Sequence, residues 1–399
     1  MAKILKYFAL LAMAVVLTSC DGPVGYAIHA QKIDNHMRRY NINESVDDDT
    51  IRFVINDRNQ ILMKAEINGE EDTVIYDSGA ASAVFKFFTE ATKPKGMKFY
   101  RVDVTGADKK TESKVTMIPV KITTPMCIVE HLGNVMLMPE NHICDKEPSV
   151  SRYSIVGFPG LDISSIAIDF TKKKIYNVEK SQIDTVEYIP VKCRVAETIY
   201  TKQMFVYPVI NGVEYECIFD TGNGGGILIQ DAQKVGEPSD ADMLYEGSYG
   251  IAIGGAAEMQ QFVIAPENTV EFAGQTETIP VMYLEGGLAF NNMGLAYIKR
   301  FDWIITSRYD ESTEGLIYKM YAKPHVSDTM DMTRNRYGIS TSDGTLRILA
   351  RLIDGNEKYK VGDQIISVNG EKISEENICH YYDLLTENKD WSGFEIRVK

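Results

Sequence analysis

The sequence predicts a mainly β protein made of two related lobes followed by a smaller α+β domain. From residue 51 to about 322, short apolar segments alternate with Asn-Gly and Gly turns, which is the pattern of strands and hairpins. Two segments share one residue pattern, INGEEDTVIYDSG at 67–79 and INGVEYECIFDTG at 210–222. A repeat of this length predicts a duplicated structural unit. At 399 residues, the chain is long enough for two or three domains.

Residues 1–20 have the pattern of a secretory signal. Lys3 and Lys6 precede an apolar run, Phe8 to Leu17, that is too short to span a bilayer well, and the segment ends in Leu-Thr-Ser-Cys. This ending resembles a bacterial lipobox. The resemblance implies cleavage before Cys20 and lipidation of its thiol. The mature chain would then be exported and lipid-anchored to a bacterial membrane, on its periplasmic or cell-surface side. A plain signal peptide that contains a cysteine is the alternative.

The charge balance of the chain excludes a nucleic-acid partner. The formal net charge is −14, and no run of Lys and Arg provides the basic face that binding to phosphates requires. Residues 21–50 are polar and acidic and end in Asp47-Asp48-Asp49. They predict a tether between the membrane anchor and the folded part of the chain.

Five cysteines follow Cys20, and an exported chain can keep disulfides. The candidate pairs are Cys127 with Cys144 and Cys193 with Cys217, although the sequence leaves the connectivity open. A metal site could also be drawn from Cys127, His131, His142 and Cys144. Their spacing matches no metal-binding motif, so we expect buried thiols or one disulfide, with no metal and no cofactor.

The repeat extends beyond these two segments. Ile155-Val156-Gly157 ends 80 residues after Asp77, and Asn292-Met293-Gly294 ends 74 residues after Asp220. A strand-like segment follows each glycine, and each half then reaches a tyrosine-containing strand, KKKIYNV or EGLIYKM. Three landmarks in the same order predict lobe one over residues 51–186 and lobe two over residues 187–322.

Each copy of the repeat carries one Asp-[ST]-Gly triplet, at Asp77 and at Asp220. One such triplet is commonly a turn. Here apolar segments flank both triplets and should bury them, and a buried carboxylate is unfavourable unless it is satisfied or used. Two such carboxylates at a shared seam cannot both be ionised, so they share one proton. One can then accept a proton from water while the other protonates a peptide carbonyl.

At these residues the chain resembles the aspartic protease family. The match consists of two apolar residues before Asp-[ST]-Gly in each lobe and a downstream apolar-Gly strand, and it covers about residues 51–322. The resemblance implies two β-barrel lobes with a peptide or protein substrate in the cleft between them. It also implies that Asp77 and Asp220 are the catalytic dyad. The retroviral-like branch is most similar, because Ala80 follows the first triplet.

The neighbours of the two aspartates are expected to support the dyad. Ser78 and Thr221 would cross-link the two loops through their hydroxyls, and Gly79 and Gly222 would let backbone amides approach the carboxylates. Hairpins at 103–112 and from Tyr245 to Gly255 could cover the cleft as flaps, or they could be ordinary surface hairpins.

The second loop departs from the family pattern. Asn223 stands where Thr, Ser or Ala is usual, Gly224-Gly225-Gly226 follows it, and Asn292 is polar where an apolar residue is usual. These departures motivate an alternative function, a catalytically inactive peptide-binding or scaffolding lipoprotein on a protease fold.

Residues 323–399 resemble a PDZ domain. The match is carried by Gly-Asp-x-Ile-x-x-Val-Asn-Gly at 362–370, and a helix is expected from Glu375 to Leu385. The resemblance implies that backbone amides of a loop capture the carboxylate of a peptide C-terminus. That loop consists of Arg336, Tyr337, Gly338 and Ile339. Alternatively, this domain serves only to pack on the lobes.

Overall fold

The structure is a computed structural model, and it describes residues 22–37, 43–45, 50–80, 84–105, 110–137, 144, 153–157, 161, 165–178, 184, 186–197, 202–230, 240–252, 255–257, 259–286, 290–310, 315–325, 330, 332, 334–341 and 344–399. The predicted signal segment 1–20 and the predicted lipidation residue Cys20 lie outside these ranges. Within them, no helix is long and apolar enough to cross a membrane.

Strands dominate the described residues, so the prediction of a mainly β protein is confirmed. The helices are α1 (Pro23–Met37), α2 (Leu295–Ile298) and α3 (Ile378–Glu387). The strands up to the end of lobe one are β1 (Asn43–Ser45), β2 (Thr50–Ile55), β3 (Ile61–Ile67), β4 (Glu70–Asp77), β5 (Val84–Phe88), β6 (Tyr100–Thr105), β7 (Lys110–Thr123), β8 (Cys127–Leu137), β9 (Ser154–Gly157), β10 (Ser165–Asp169) and β11 (Lys174–Asn177).

The remaining strands belong to lobe two and the C-terminal region. Those of lobe two are β12 (Ile189–Val191), β13 (Cys193–Glu197), β14 (Lys202–Val206), β15 (Val209–Ile210), β16 (Val213–Glu214), β17 (Cys217–Asp220), β18 (Ile227–Gln230), β19 (Met243–Gly247), β20 (Ile251–Ala252), β21 (Gly255–Ala256), β22 (Gln260–Phe272), β23 (Gln275–Leu284), β24 (Asn291–Gly294), β25 (Phe301–Asp310) and β26 (Gly315–Pro324). Those of the C-terminal region are β27 (Tyr337–Ser340), β28 (Arg347–Leu352), β29 (Ile365–Val368), β30 (Glu371–Lys372) and β31 (Ile396–Val398).

Two large sheets and two small ones contain these strands. One large sheet has the order β12-β26-β25-β10-β11-β2-β3-β4-β9-β5-β8-β7-β6, with β1 paired to β8. The other has the order β13-β14-β17-β24-β18-β23-β22-β19-β28-β27, with β15 paired to β22 and β16 paired to β15. The small sheets are β20-β21 and β30-β29-β31.

The pairing pattern around the first Asp-[ST]-Gly loop occurs again around the second. β4 pairs in parallel with β9, β5 pairs with both β9 and β8, and β8 pairs with β7. The same relations hold between β17 and β24, between β18 and both β24 and β23, and between β23 and β22. Hairpins β10–β11 and β25–β26 follow in the two halves. The repeated sequence landmarks therefore correspond to a repeated strand topology.

The two halves meet in one sheet and share one core. β10 of lobe one pairs antiparallel with β25 of lobe two, where Ile168 lies opposite Trp303. Trp303 is fully buried, and its Nε1 donates to the carbonyl oxygen of Ile298 at 2.8 Å. Buried apolar residues of both lobes form one continuous cluster. A close-packed core of this kind fixes the halves against each other, together with the loops they carry.

Part of the predicted tether is folded against lobe one. Helix α1 contacts β6, β7 and β8, and β1 pairs with β8. Tyr26 Oη donates to Asn134 Oδ1 at 2.6 Å, and His29 Nε2 lies 2.9 Å from the carbonyl oxygen of Met117. Tyr26, His29 and the buried Ala30 are spaced to share one helix face. The prediction of a tether rests on the overall polarity of residues 21–50, and this average does not reveal a contact face of only a few residues.

The C-terminal region continues the sheet of lobe two. β19 pairs antiparallel with β28, and β28 pairs with β27, which forms the edge of that sheet. Arg351 Nε lies 2.6 Å from Glu246 Oε1 across the β19–β28 boundary. Gly247 has a φ of +120°, and a side chain there would collide with the backbone of β28. The region also has a core of its own, formed by β27–β31 and α3.

One disulfide joins the C-terminal region to lobe one. Cys144, which follows β8, is bonded to Cys379 in α3, with the two Cα atoms 5.1 Å apart. Cys144 is fully buried within the core of the C-terminal region, where Thr341 Oγ1 lies 3.6 Å from its Sγ. Cys144 is therefore held between the end of β27 and the start of α3.

The candidate disulfides Cys127–Cys144 and Cys193–Cys217 are wrong. Cys127 and Cys217 are buried thiols outside any disulfide, and Cys193 is a half-buried one. Cys193 lies opposite Val206 of β14, which in turn lies opposite Cys217. A whole strand thus separates the two cysteines, and strands are about 4.8 Å apart. This separation exceeds the roughly 7 Å that Cα atoms of a disulfide can span.

Candidate active site

Asp77 and Asp220 occupy equivalent places in the two halves. Asp77 ends β4 opposite Gly157 of β9, and Asp220 ends β17 opposite Gly294 of β24. The strands before them are buried and apolar, which explains why both loops lie deep in the molecule. Both aspartates are half-buried.

The two loops are tied together by four buried hydrogen bonds. Ser78 Oγ donates to the carbonyl oxygen of Phe219 at 2.7 Å and accepts from the amide of Thr221 at 3.0 Å. Thr221 Oγ1 donates to the carbonyl oxygen of Tyr76 at 2.9 Å and accepts from the amide of Ser78 at 2.9 Å. Ser78 and Thr221 are fully buried. Since such bonds contribute about 0.5–1.5 kcal/mol each, the cross-link resists separation of the loops.

Backbone amides hold each carboxylate in the same way. Asp77 Oδ1 accepts from the amides of Gly79 and Ala80, both at 2.9 Å. Asp220 Oδ1 accepts from the amide of Gly222 at 3.0 Å and from the following amide at 3.1 Å. These bonds leave the second oxygen of each carboxylate free for other contacts.

The glycines let the loops cross. A Cβ on Gly79 would collide with the carboxyl group of Asp220, and a Cβ on Gly222 would collide with that of Asp77. Each carboxylate therefore packs on the glycine of the opposite loop. No larger residue fits at either position without displacing a carboxylate.

The crossing places two acids in one site. Burial raises the pKa of Asp77 well above its usual value, and the charge of Asp220 and a hydrogen bond to its carboxyl raise this pKa further. The amides of Gly79 and Ala80 oppose this effect, but they do not overcome it. Asp77 therefore holds its proton at a pH where an exposed aspartate has lost it.

The glycine run after Asp220 is closely packed. Asn59 of the β2–β3 turn donates from Nδ2 to the carbonyl oxygen of Gly224 at 2.6 Å. A Cβ on Gly224 would collide with the carbonyl oxygen of Arg58, and a Cβ on Gly226 would come within 2.8 Å of Met330. Gly224 thus lets a turn of lobe one approach the loop, and Gly226 lets Met330 do so, which the sequence alone did not reveal.

Asn292 contacts the site although sequence reasoning assigned it no role. Its Nδ2 donates to Asp220 Oδ2 at 2.5 Å, and its Oδ1 accepts from Asn223 Nδ2 at 2.7 Å. The sequence offered one signal: Asn223 and Asn292 stand where the resembled family usually has small or apolar residues. Two polar side chains on β24 and on the loop beside it would together have indicated a polar contact to Asp220.

Both predicted hairpins are present. β6 and β7 pair over the segment 103–112, with Asp103 opposite Glu112, and β19 pairs with β22. The tips at 106–109 and 253–254 lie outside the described residues. The role of either hairpin as a flap over the cleft stays a prediction.

The residues predicted to capture a peptide C-terminus lie apart from the two aspartates, in the C-terminal region. Tyr337, Gly338 and Ile339 belong to strand β27 rather than to a free loop. The ring of Tyr337 is buried and stacks on Trp391 at 4.8 Å. The guanidinium of Arg336 forms a two-point ion pair with Asp354, with Nη1 to Oδ1 at 2.8 Å.

The motif at 362–370 contains the tight turn that its Asn-Gly pair predicts. Asn369 and Gly370 have φ angles of +51° and +82°, as expected for a tight turn between β29 and β30. Helix α3 begins at Ile378, three residues later than the sequence indicated.

No protein-family model and no curated protein sequence matches this chain. Its proposed chemistry therefore rests on the geometry of the site.

Proposed function

We propose that this protein is an aspartic-type endopeptidase whose active site forms where the two Asp-[ST]-Gly loops cross. The observation that carries the proposal is the pair of carboxylates, each packed on the glycine of the other loop. Hydrogen bonds between Ser78 and the Thr221 loop support it, because they hold two acidic groups together that would otherwise repel.

In this mechanism the pair carries one proton and activates water directly. The ionised carboxylate accepts a proton from water, whose oxygen bonds to the carbonyl carbon of the peptide. The protonated carboxyl gives its proton to the carbonyl oxygen, which forms a tetrahedral gem-diol. Transfer of a proton to the peptide nitrogen then breaks the carbon–nitrogen bond and releases a carboxylic acid and an amine. No covalent enzyme intermediate forms.

We further propose aspartic-protease-like lobes over residues 51–186 and 187–322 and a PDZ-like domain over 323–399. The repeated strand pairing around β4 and β17 supports the lobes. An edge strand, β27, in contact with helix α3 supports the PDZ-like domain, since a peptide could add a strand there. This domain would select substrates or recognise their termini. The lipobox resemblance supports export and a lipid anchor at Cys20.

The inactive alternative was motivated by Asn223 and the glycine run. The amide of Asn223 makes the same bond to Asp220 as the amide of Ala80 makes to Asp77. The backbone of the second loop thus keeps the arrangement of the first, which favours the enzyme.

The experiment is cleavage of a mixed peptide library from acid to neutral pH. We expect wild type to cut, and Asp77→Asn and Asp220→Asn to lose at least about 10²–10⁴-fold in rate, because each removes one acid–base group. Asp57→Asn, at an exposed aspartate of the β2–β3 turn, is the matched control and should keep wild-type activity. Equal activity in all four proteins would refute the proposal. Peptides that wild type binds but never cuts would favour the scaffolding alternative.

A further inference from the structure

A chain of side-chain amides ends on one of the two carboxylates. The amide of Gly225 donates to Asn223 Oδ1 at 2.8 Å, and Asn223 Nδ2 donates to Asn292 Oδ1 at 2.7 Å. Asn292 Nδ2 then donates to Asp220 Oδ2 at 2.5 Å. This oxygen is not the one that accepts the backbone amides of the loop.

Among the described residues of lobe one, no equivalent chain of side-chain amides reaches Asp77. In the register of the two halves, Asn292 lies opposite Ile218 and its counterpart Ile155 lies opposite Ile75. Isoleucine has no donor to offer a carboxylate. The counterpart of Asn223 is Ala80, which likewise has no polar side chain. The environments of the two aspartates therefore differ in their side chains, although their backbones match.

The amide chain has one direction. Asn223 Nδ2 donates to the side-chain oxygen Oδ1 of Asn292, so the NH₂ group of Asn292 faces Asp220. An NH₂ group can donate but not accept, and an ionised carboxylate is the better acceptor. A hydrogen bond that favours the charged form stabilises that form. The contact thus favours negative charge on Asp220 over negative charge on Asp77.

We propose that Asn292, oriented by Asn223, is a positioning residue that makes Asp220 the ionised member of the pair and Asp77 the protonated one. If the proposed function holds, on which this last step rests, Asp220 is the base that activates water and Asp77 is the acid that protonates the peptide carbonyl.

The phenol of Tyr76 adds no charge beside Asp77. Burial raises the pKa of Tyr76 far above the range between acid and neutral pH, and the charge of Asp77 raises it further. The phenol therefore stays neutral over the range in which the carboxyl signals are followed.

The test is a pH titration of the full-length protein labelled with ¹³C at aspartate carboxyls. Spectra of Asp77→Asn and Asp220→Asn identify the two signals. In wild type, over the range where the pair holds one proton, we expect the Asp220 signal at its ionised position and the Asp77 signal at its protonated position. In Asn292→Leu, loss of a bond to a charged group should move the more acidic midpoint of the pair up by about one to two pH units.

Two further variants keep the test decisive. Asn223→Ala removes the side chain that bonds Asn292 and keeps the backbone amide on Asp220, so it should move the same midpoint upward by a smaller amount. Asn291→Ala is the matched control, since Asn291 lies on the same strand but bonds the backbone of Glu216 and Gln230. It should leave the midpoint in place. A proton found on Asp220 in wild type, or equal midpoints in Asn292→Leu, Asn223→Ala and Asn291→Ala, would overturn the inference.

The titration requires no turnover, so the two proposals can fail separately. If the midpoints move as expected but no peptide is cut, the assignment of charge stands and the proposed function fails. If cleavage of peptides requires both aspartates but the titration midpoints do not move, the proposed function stands and the proposed role of Asn292 fails.

Discussion

At the scale of single residues, the pair is built from matching backbones and unlike side chains. Two amides hold Oδ1 of each aspartate, and the glycine of the opposite loop lies beneath each carboxyl. The difference lies on the strands that pair with β4 and β17. Asn292 on β24 bonds Asp220, whereas its counterpart on β9 is the apolar Ile155. The proposed difference in protonation between the two acids rests on this local break in the symmetry.

The raised pKa of Asp77 has a consequence for stability. The native protein keeps a proton that the unfolded chain releases above about pH 4, so the free energy of unfolding should fall as pH rises from there to the native pKa. Asp77→Asn lacks this proton equilibrium. Its stability relative to wild type should therefore increase with pH over that window and level off above the native pKa.

Urea unfolding from pH 3 to pH 8 measures this difference. Asp57→Asn, at an exposed site, should run parallel to wild type at every pH. If Asp77→Asn also ran parallel to wild type, the native pKa of Asp77 would not be raised.

At the scale of elements, the sequence was most informative where a signal was local and occurred twice. The strands before Asp77 and Asp220 and the glycines at 157 and 294 were read from short apolar patterns, and the structure pairs them in parallel. The contacts of α1 depend on three side chains meeting a distant surface, so segment 21–50 looked like a polar tether.

Contacts distant in sequence could not be predicted in the same way. The Cys144–Cys379 bond spans 235 residues, and pairing by proximity in sequence selected the wrong partners. The pairing of β19 with β28 depends on Gly247, which allows the backbone of β28 to approach closely. A glycine in the sequence does not show which strand will approach it.

The disulfide should stabilise the contact between the C-terminal region and lobe one. Because it closes a very long loop, Cys379→Ser should lower the free energy of unfolding by about 2–5 kcal/mol. A reducing agent should bring wild type to the level of the variant and leave the variant unchanged.

The matched control is Cys193→Ser, because Cys193 is a half-buried free thiol outside the C-terminal region. We expect it to change the free energy of unfolding by less than about 1 kcal/mol. A Cys379→Ser protein as stable as wild type under oxidising conditions would show that the bond does not hold the two parts together.

At the scale of the whole molecule, the two halves are built as one body. They share a sheet through β10 and β25 and a continuous apolar core, and the Ser78–Thr221 cross-link lies between them. Neither loop reaches its observed geometry alone, because each carboxylate packs on the other loop. The central claim is therefore that the two lobes form one catalytic unit.

The most direct test of this claim is a double-mutant cycle on peptide cleavage with Asp77→Asn, Asp220→Asn and the variant carrying both changes. Residues that act as a unit are strongly non-additive. We predict that the double variant is no slower than either single variant. If the double variant instead fell below wild type by the product of the two single losses, the two aspartates would act independently, which would contradict the account.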